Sequence, residues 1–328
     1  MKIGSIGTGF ITDWVMGSLV KYPENEYTAI YSRKEESAQT LKDKYNVKKV
    51  YTDLDAMLAD EEIDCIYVAS PNSLHYEHSI KAMKAGKNVI CEKPFASNVK
   101  ECEEMIRVSK ETNTFLFEAI TVPYNLNYKE IKNHLPKIGK VRIVECNMSQ
   151  YSSKYDAYLA NKNPNVFTAK YSGGALMDLG VYNIHYVYGL FGMPEDVQYF
   201  ATLNEDGVDL GGVVIMKYPE FVATCVASKN SIGSTFTQIQ GENGYIYSDL
   251  ASSLSKNVKV QIRKGEYQEI DLQEGCEHTH YYYAGEMLKM VQENDRARCD
   301  EMLNVSLDVM KIIEKCKESA GIVFDADK

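Results

Sequence analysis

The sequence predicts an α/β protein of two domains, the first built on a parallel sheet and the second on an open, mainly antiparallel sheet. Three observations carry this prediction. Short apolar runs alternate with amphipathic stretches through residues 1–120, a Gly-x-Gly turn follows the first run, and strand patterns follow one another from about residue 197 to 270. The length of 328 residues fits two domains of roughly 100–200 residues each. We expect them at residues 1–120 and 121–328.

The first domain consists of apolar strands separated by helical segments. The predicted strands are Lys2–Ile6, Tyr27–Tyr31, Cys65–Ala69, Asn88–Cys91 and Thr114–Phe117. The predicted helices are Phe10–Tyr22, Glu35–Tyr45, His75–Ala85 and Val99–Thr112. Strands that are apolar throughout are typical of a parallel sheet covered on both faces. Right-handed crossovers between them make a doubly wound Rossmann fold the expected result.

The second domain is predicted to be α+β. A helix at about Leu126–His134 precedes a strand at Val141–Met148, a polar loop at Tyr151–Tyr171, and a helix from Gly173 to about Leu190. The later strands are Gln198–Leu203, Gly212–Tyr218, Val222–Ser228, Thr235–Gln240, Tyr245–Ser248, Val258–Arg263 and Tyr267–Leu272. Tight turns between successive strands favour antiparallel pairing. Two helices, about His280–Glu293 and Asp300–Ala320, end the chain, and we expect the last to pack back on the first domain.

Composition and charge exclude several classes of protein. With 36 basic and 46 acidic residues the net charge is −10, which makes nucleic acid an unfavourable general partner. No apolar run approaches the roughly 18–20 residues of a membrane span, and no secretion signal is visible at the start. The eight cysteines form no Cys-x-x-Cys pair, so we expect reduced thiols, a cytoplasmic protein and no metal site. They are Cys65, Cys91, Cys102, Cys146, Cys225, Cys276, Cys299 and Cys316.

A glycine turn predicts a dinucleotide site at the first strand. Gly7 permits a tight turn, and Gly9 lets the backbone approach a pyrophosphate at the start of the next helix, beside Phe10 and Ile11. Thr12 stands where a third glycine or alanine is usual. An ordinary turn is the alternative for a lone Gly-x-Gly, and its strand–turn–helix setting favours the nucleotide.

The end of the second strand indicates which nicotinamide nucleotide is bound. An acidic residue here would bind the ribose hydroxyl of NAD, but Ser32 and Arg33 stand there instead. A hydroxyl and a guanidinium suit the 2′-phosphate of NADP. We therefore favour NADP(H), with NAD(H) or use of both as alternatives, and a solvated helix start as the plain interpretation.

Two further strands end in polar segments that face the ligand-binding edge of such a sheet. One continues into Ser70, Pro71, Asn72 and His75, and the next ends in Glu92-Lys93-Pro94. Taken alone, these segments could be an exposed ion pair and a helix N-terminus.

These motifs, in this order, resemble the Gfo/Idh/MocA family, named after glucose–fructose oxidoreductase, inositol dehydrogenase and the rhizopine-catabolism proteins. Gly-x-Gly at 7, Ser-Pro-Asn-x-x-His at 70, Glu-Lys-Pro at 92 and Gly-Gly-Ala-Leu-x-Asp-x-Gly-x-Tyr at 173 carry the resemblance, which spans essentially the whole chain. With Tyr182 where many members have His, the sequence is more similar to the glucose–fructose oxidoreductase and dimeric dihydrodiol dehydrogenase branch. The resemblance implies nicotinamide-dependent hydride transfer to or from a sugar, polyol or diol.

Three residues are predicted to carry the chemistry. Asp178 and Tyr182 lie four positions apart and would share one helix face, with His185 on the same stripe. A phenol has an ordinary pKa of about 10, and the charge of Lys93 would lower it. We expect Tyr182 to give and take the proton, Lys93 to hold the substrate oxygen, and Asp178 to orient the substrate. Proton transfer centred on Lys93 is the alternative, and a buried polar pair is the structural alternative for Asp178 and His185.

The substrate and partners are less defined. The segment after Glu118-Ala119 departs from the pattern of relatives, since Pro123 lies where an Arg tends to be. Tyrosines that could line a sugar pocket, or merely pack, are Tyr151, Tyr155, Tyr158, Tyr171, Tyr281, Tyr282 and Tyr283. We expect a homodimer or dimer of dimers formed through the second sheet. The alternatives are an NADP-binding sensor without turnover and a reductase of a non-sugar substrate such as a dihydrodiol or tetrapyrrole.

Overall fold

A computed structural model describes residues 1–272 and 278–328. Within these residues the chain forms two compact units. The first contains Met1–Ala119 with residues 278–307, and the second contains residues 120–272 with Asp308–Lys328. The boundary of the predicted dinucleotide and substrate domains stays a prediction. Cys276, one of the eight predicted thiols, lies outside the described residues.

The first unit contains a six-stranded parallel sheet in the order β3-β2-β1-β4-β5-β6. The strands are β1 (Lys2–Ile6), β2 (Glu26–Tyr31), β3 (Lys49–Tyr51), β4 (Cys65–Val68), β5 (Asn88–Glu92) and β6 (Leu116–Ala119). The intervening helices are α1 (Phe10–Leu19), α2 (Gln39–Tyr45), α3 (Leu54–Leu58), α4 (His75–Lys84) and α5 (Val99–Thr112). This strand order is that of the doubly wound dinucleotide-binding fold. Strands β2 and β3 are added on one side of β1, and β4, β5 and β6 are added on its other side.

The central strands are buried on both faces, which is why an apolar pattern in the sequence predicts them. Ile3, Ile30, Ile66 and Ile90 are each 0% exposed, as expected for strands covered on both faces. β3 and α3 are absent from the sequence prediction. Both are short and β3 is only half-buried, so neither produces an apolar run. Asp53 starts α3 by accepting hydrogen bonds from the N–H groups of Asp55 and Ala56.

The second unit contains an eight-stranded sheet in the order β14-β13-β12-β11-β7-β10-β9-β8. Its strands are β7 (Val141–Ser149), β8 (Asp196–Leu203), β9 (Asp209–Lys217), β10 (Val222–Ser228), β11 (Phe236–Gly241), β12 (Gly244–Ser248), β13 (Val258–Ile262) and β14 (Tyr267–Ile270). Its helices before residue 272 are α6 (Leu126–His134), α7 (Tyr155–Leu159) and α8 (Val181–Phe191). Only β7 and β10 pair in parallel within the described sheet, so the prediction of a mainly antiparallel sheet is confirmed.

Two predictions in the second unit need correction. The polar stretch 151–171 is not one loop, because it contains α7 and the short 3₁₀ turns Asn165–Phe167 and Ala169–Tyr171. The helix after Gly173 is not regular either, since a π-helical turn at Leu176–Gly180 precedes α8. In that turn the Val181 N–H reaches back five residues to the carbonyl of Leu176. Neither feature has a hydrophobic period that sequence patterns reveal.

The chain ends with α9 (His280–Gln292) and α10 (Arg296–Ala320). Residues of α10 up to Leu307 belong to the first unit, and those from Asp308 belong to the second. Val309, Ile312 and Cys316 are buried on one side of α10. Among residues 1–272 and 278–328, none of the helices combines the length and the apolar character that crossing a bilayer requires.

Candidate active site

The glycine turn after β1 has the geometry that a bound dinucleotide needs. Gly7 adopts φ +117°, and a Cβ there would lie 2.6 Å from the carbonyl oxygen of Ala69. A Cβ on Gly9 would meet nothing within 4 Å, so the space in front of that residue is open. Gly9 is the N-cap of α1 and supplies no side-chain cap, which leaves first-turn N–H groups available to an anion. The residues present therefore fit the pyrophosphate of a dinucleotide.

The residues around this turn divide into buried and exposed groups. Thr12, at the third fingerprint position, is 0% exposed and packs inside the unit. Phe10 begins α1 and is 70% exposed, while Ile11 is half-buried. A large exposed aromatic ring beside an open glycine turn is placed where it could cover a ligand.

The end of β2 offers a cation at the ribose position of the fold. The Ser32 N–H donates to the carbonyl of Tyr51 at 3.0 Å, which fixes the backbone of the segment. Arg33 is exposed, and its guanidinium makes no hydrogen bond or ion pair with the described residues. An uncommitted guanidinium fits a phosphate group better than a ribose hydroxyl.

His75 joins the two polar turns that follow β4 and β5. Its Nδ1 lies 2.8 Å from the carbonyl of Pro94, and its Nε2 lies 2.9 Å from the carbonyl of Ser70. Burial is the largest influence on the ring and lowers the pKa of His75 to about 4, although both carbonyls favour protonation. The neutral ring donates a hydrogen bond to one of these two carbonyls, according to its tautomer, and lies in contact with both turns. The predicted role of His75 in direct cofactor contact is untested, and Pro71 and Asn72 follow Ser70 on the same half-buried turn.

Glu92 and Lys93 end β5 in contrasting surroundings. Glu92 is 6% exposed and accepts a 2.6 Å hydrogen bond from the Tyr67 hydroxyl, whereas Lys93 is half-buried. Burial raises the pKa of Glu92 to about 7, against smaller lowering effects from Tyr67 and from Lys93. The interpretation of Glu92-Lys93 as an exposed pair is therefore wrong for Glu92. The carboxyl group is a buried support beneath the lysine.

The second unit positions Asp178 and Tyr182 through a tight glycine turn. A Cβ on Gly173 would lie 2.6 Å from the carbonyl of Val166, so the turn packs directly on backbone. Asp178 lies in the π-helical turn and Tyr182 in the first turn of α8, so their spacing is not the α-helical i, i+4 spacing that the sequence predicted. Tyr182 is half-buried, and His185 is 3% exposed.

Sequence reasoning missed the partner of Asp178. The Lys229 ammonium, on a side chain 3% exposed, pairs with Asp178 Oδ2, and the Asp178 side chain remains 35% exposed. Lys229 directly follows β10, and nothing in its local pattern distinguishes it from a lysine at a strand end. Only the folded sheet shows the connection, because the two residues are 51 positions apart.

The predicted site residues thus belong to two groups. Gly7, Ser32, Ser70 and Lys93 follow neighbouring strands of the first unit, and Asp178 and Tyr182 lie in the second. Of the tyrosines, Tyr155 and Tyr158 pack around Phe167 and Tyr283 is fully buried, so packing accounts for these three. The described residues contain no cluster of three or more His, Cys, Asp or Glu side chains suited to a metal ion.

Comparison with known proteins identifies the family to which this chain belongs. Residues 1–120 match the oxidoreductase family with an NAD-binding Rossmann fold, and residues 136–247 match the C-terminal domain of the same family. The chain belongs to the Gfo/Idh/MocA family of oxidoreductases. The predicted family, the fold class and the assignment as a dehydrogenase or reductase are therefore confirmed.

Two relatives and one solved structure illustrate the range of the family. The chain is 38% identical to a scyllo-inositol 2-dehydrogenase (NADP(+)) of Bacillus subtilis (strain 168), over 100% of this chain and 99% of that protein. It is 30% identical to a trans-1,2-dihydrobenzene-1,2-diol dehydrogenase of Xenopus tropicalis, over 66% of this chain and 65% of that one. A 3-ketoreductase of Actinomadura kijaniata, solved with NADP and TDP-benzene, shares the fold at a TM-score of 0.84 and 20% identity, with 97% of both chains covered.

The buried carboxyl of Glu92 gives a prediction about pH and stability. Between pH 4.5 and about 7 the folded state holds a proton on Glu92 that the unfolded state has lost, so wild-type stability falls as pH rises. Glu92→Gln keeps a neutral group there and removes this loss. Urea unfolding should show the free energy of unfolding of Glu92→Gln gaining on wild type by on the order of 2–3 kcal/mol between pH 5 and pH 8.

Glu77→Gln is the control, because Glu77 is an exposed carboxylate whose pKa is lowered by its hydrogen bond with Lys81. It should show no such gain. A difference between Glu92→Gln and wild type that stays constant with pH would contradict the raised pKa of Glu92.

Proposed function

We propose that this protein is an NADP(H)-linked dehydrogenase that interconverts a secondary alcohol and a ketone on a six-membered ring bearing neighbouring hydroxyl groups. The observation that carries the proposal is the position of Lys93, which follows β5 at the edge where the open Gly9 turn follows β1, two strands away. The two relatives named above act on a scyllo-inositol and on a cyclic diol. Both substrates have adjacent hydroxyls on a six-membered ring, which supports this substrate class.

The cofactor assignment rests on the first unit. Bound nicotinamide supplies the acceptor or donor of the hydride. Gly7 makes the tight turn, Gly9 leaves open space for the pyrophosphate, and we assign the exposed Arg33 side chain to the 2′-phosphate. The Bacillus subtilis relative carries NADP(+) in its name, in agreement with this choice.

We assign the proton chemistry to three side chains. Tyr182 takes the alcohol proton during oxidation and returns it during reduction. The Lys93 ammonium is assigned to hold the substrate oxygen. Asp178 accepts hydrogen bonds from the neighbouring hydroxyls and so fixes the ring. His75 acts on Lys93 at a distance, because it tethers the turn that contains Pro94.

Substituting Tyr182 tests the chemistry. With NADP⁺ and a panel of inositols, aldoses and cyclic diols, Tyr182→Phe should lower kcat about 100- to 1,000-fold, because general acid–base catalysis is worth about that much. The dissociation constant for NADPH, measured by fluorescence, should stay within about twofold.

Tyr188→Phe is the matched control, since Tyr188 lies on the same helix and its hydroxyl donates to Asp308 at 2.7 Å. It should retain kcat. If Tyr182→Phe kept wild-type turnover, the proton would have to be handled by Lys93. If the wild type bound NADPH but turned over nothing in the panel, the sensor alternative would replace the enzyme.

Substituting Arg33 tests the choice of nucleotide. Arg33→Ala should weaken NADPH binding about 10- to 100-fold and NADH binding by less than threefold, because only NADPH has the phosphate for a charge-assisted hydrogen bond. Titration calorimetry gives both constants. Lys34→Ala is the control, since it removes a neighbouring exposed charge. It should change the dissociation constants for NADPH and NADH by the same factor. An unchanged NADPH to NADH ratio in Arg33→Ala would remove Arg33 from the site.

We also propose that two copies of the chain pair through one face of the second sheet. Half-exposed side chains on that face include Phe200, Ile143 and Val222, which are 64%, 42% and 41% exposed. Val222 and Ile143 are register partners on the two adjacent central strands, β10 and β7. An apolar band of this kind favours burial against a second copy. The seven described cysteines form no disulfide with one another and are all buried, which supports a reducing compartment such as the cytoplasm.

Ile143→Asp should convert the dimer or tetramer to monomer in sedimentation velocity, because a charge would be buried in the pairing face. Ile232→Asp is the control, since Ile232 is 88% exposed but lies outside the strands. A wild type that sediments as a monomer would overturn the pairing.

A further inference from the structure

Lys229 is a buried lysine whose backbone is fixed on both sides. Its N–H donates to the carbonyl of Leu210 at 2.8 Å, and its carbonyl accepts from the N–H of Ser152 at 2.9 Å. The residue is 3% exposed, which is unusual for a lysine without a specific partner. The position of its ammonium is therefore set by the sheet and not by solvent.

The ammonium group is placed among one ring and two carboxyl groups. It pairs with Asp178 Oδ2 and lies 5.5 Å from the centre of the Phe167 ring. Its charge also acts on Asp209. Burial raises the pKa of Asp209, and its hydrogen bonds and the charge of Lys229 lower that pKa by smaller amounts. A buried charge is tolerated only when it is paired, so Lys229 and Asp178 each depend on the other.

Asp209 fixes the backbone of the same segment. Its Oδ2 accepts hydrogen bonds of 2.6 Å from the Leu176 N–H and from the Tyr199 hydroxyl. Gly174, at φ +117°, passes so close that a Cβ would overlap Asp209 Oδ1. The start of the π-helical turn is thus held by Asp209, and the side chain of Asp178 two residues further on is held by Lys229.

We propose that Lys229 is a positioning residue that fixes Asp178 as a charged hydrogen-bond acceptor for the hydroxyls beside the reacting carbon. This inference rests on the proposed function. Lys229 itself is almost inaccessible, whereas 35% of the Asp178 side chain remains exposed, so the lysine acts on substrate through the carboxylate. Without the charge of Lys229, Asp178 would lose this ion pair and would bind hydroxyls less well.

Lys229→Met tests the role, because Met retains the length of the side chain and removes its charge. We expect KM for the best polyol to rise about 10- to 100-fold, kcat to fall less than threefold, and the NADPH dissociation constant to stay within twofold. A rise in KM at constant kcat is the mark of lost substrate binding, and a general loss of structure would not produce it. Lys229→Arg, which keeps the charge, should restore KM to within about threefold of wild type.

Lys317→Met is the matched control. Lys317 is 3% exposed, pairs with Asp327 at 2.8 Å and lies 4.4 Å from the centre of the Phe324 ring, so it reproduces the surroundings of Lys229 elsewhere in the second unit. Its substitution should lower the thermal midpoint and leave KM unchanged. The double variant Lys229→Met with Asp178→Asn should have the KM of Asp178→Asn alone, because a residue that acts through Asp178 has no effect once the carboxylate is gone.

The possible outcomes separate the role of Lys229 from the proposed function of the protein. An active wild type with an unchanged KM in Lys229→Met, or single-variant effects that multiply in the double variant, overturns the role of Lys229 and leaves the proposed function intact. Loss of the thermal transition in both Lys229→Met and Lys229→Arg also overturns it, since Lys229 would then be required for folding alone. A wild type that turns over no polyol overturns both.

Discussion

The site depends on the adjacency of three parallel strands, β1, β4 and β5. Because all three run in the same direction, their carboxyl ends meet at one edge of the sheet, and the turns that follow them become neighbours. His75 then connects the second and third of these turns through the carbonyls of Ser70 and Pro94. The neutral buried ring donates to one of these carbonyls and adds no charge near Lys93.

Both units support their functional segment with a buried acid that accepts a hydrogen bond from a tyrosine hydroxyl. Tyr67 donates to Glu92 at 2.6 Å beneath Lys93, and Tyr199 donates to Asp209 at 2.6 Å beneath the segment that carries Asp178. Burial raises the pKa of each acid, as expected when desolvation outweighs the donors. In each unit, removing the buried acid would leave a phenol without its acceptor, so these supports are coupled to the motifs above them.

The parts of this fold that could be predicted from sequence are those with a period or a fixed turn chemistry. A segment of only a few residues predicts an apolar strand such as β1, and likewise the glycine turn at Gly7. Short β3 and α7 lack such a period, and the π-helical turn differs from a regular helix by one residue in the spacing of its hydrogen bonds. The pairing of Lys229 with Asp178 depends on strand register across 51 residues, which no local pattern contains.

The negative net charge of −10 is compatible with a site for a phosphorylated cofactor because charge acts over a limited distance. At physiological ionic strength the screening length is about 8 Å, so a phosphate at the sheet edge senses nearby groups and little of the remaining surface. In the first unit the groups that we assign to the cofactor include the cations Arg33 and Lys93 and the uncapped first turn of α1. The acidic surface therefore governs which macromolecules approach the protein, while a few local cations and N–H groups govern which small molecule it retains.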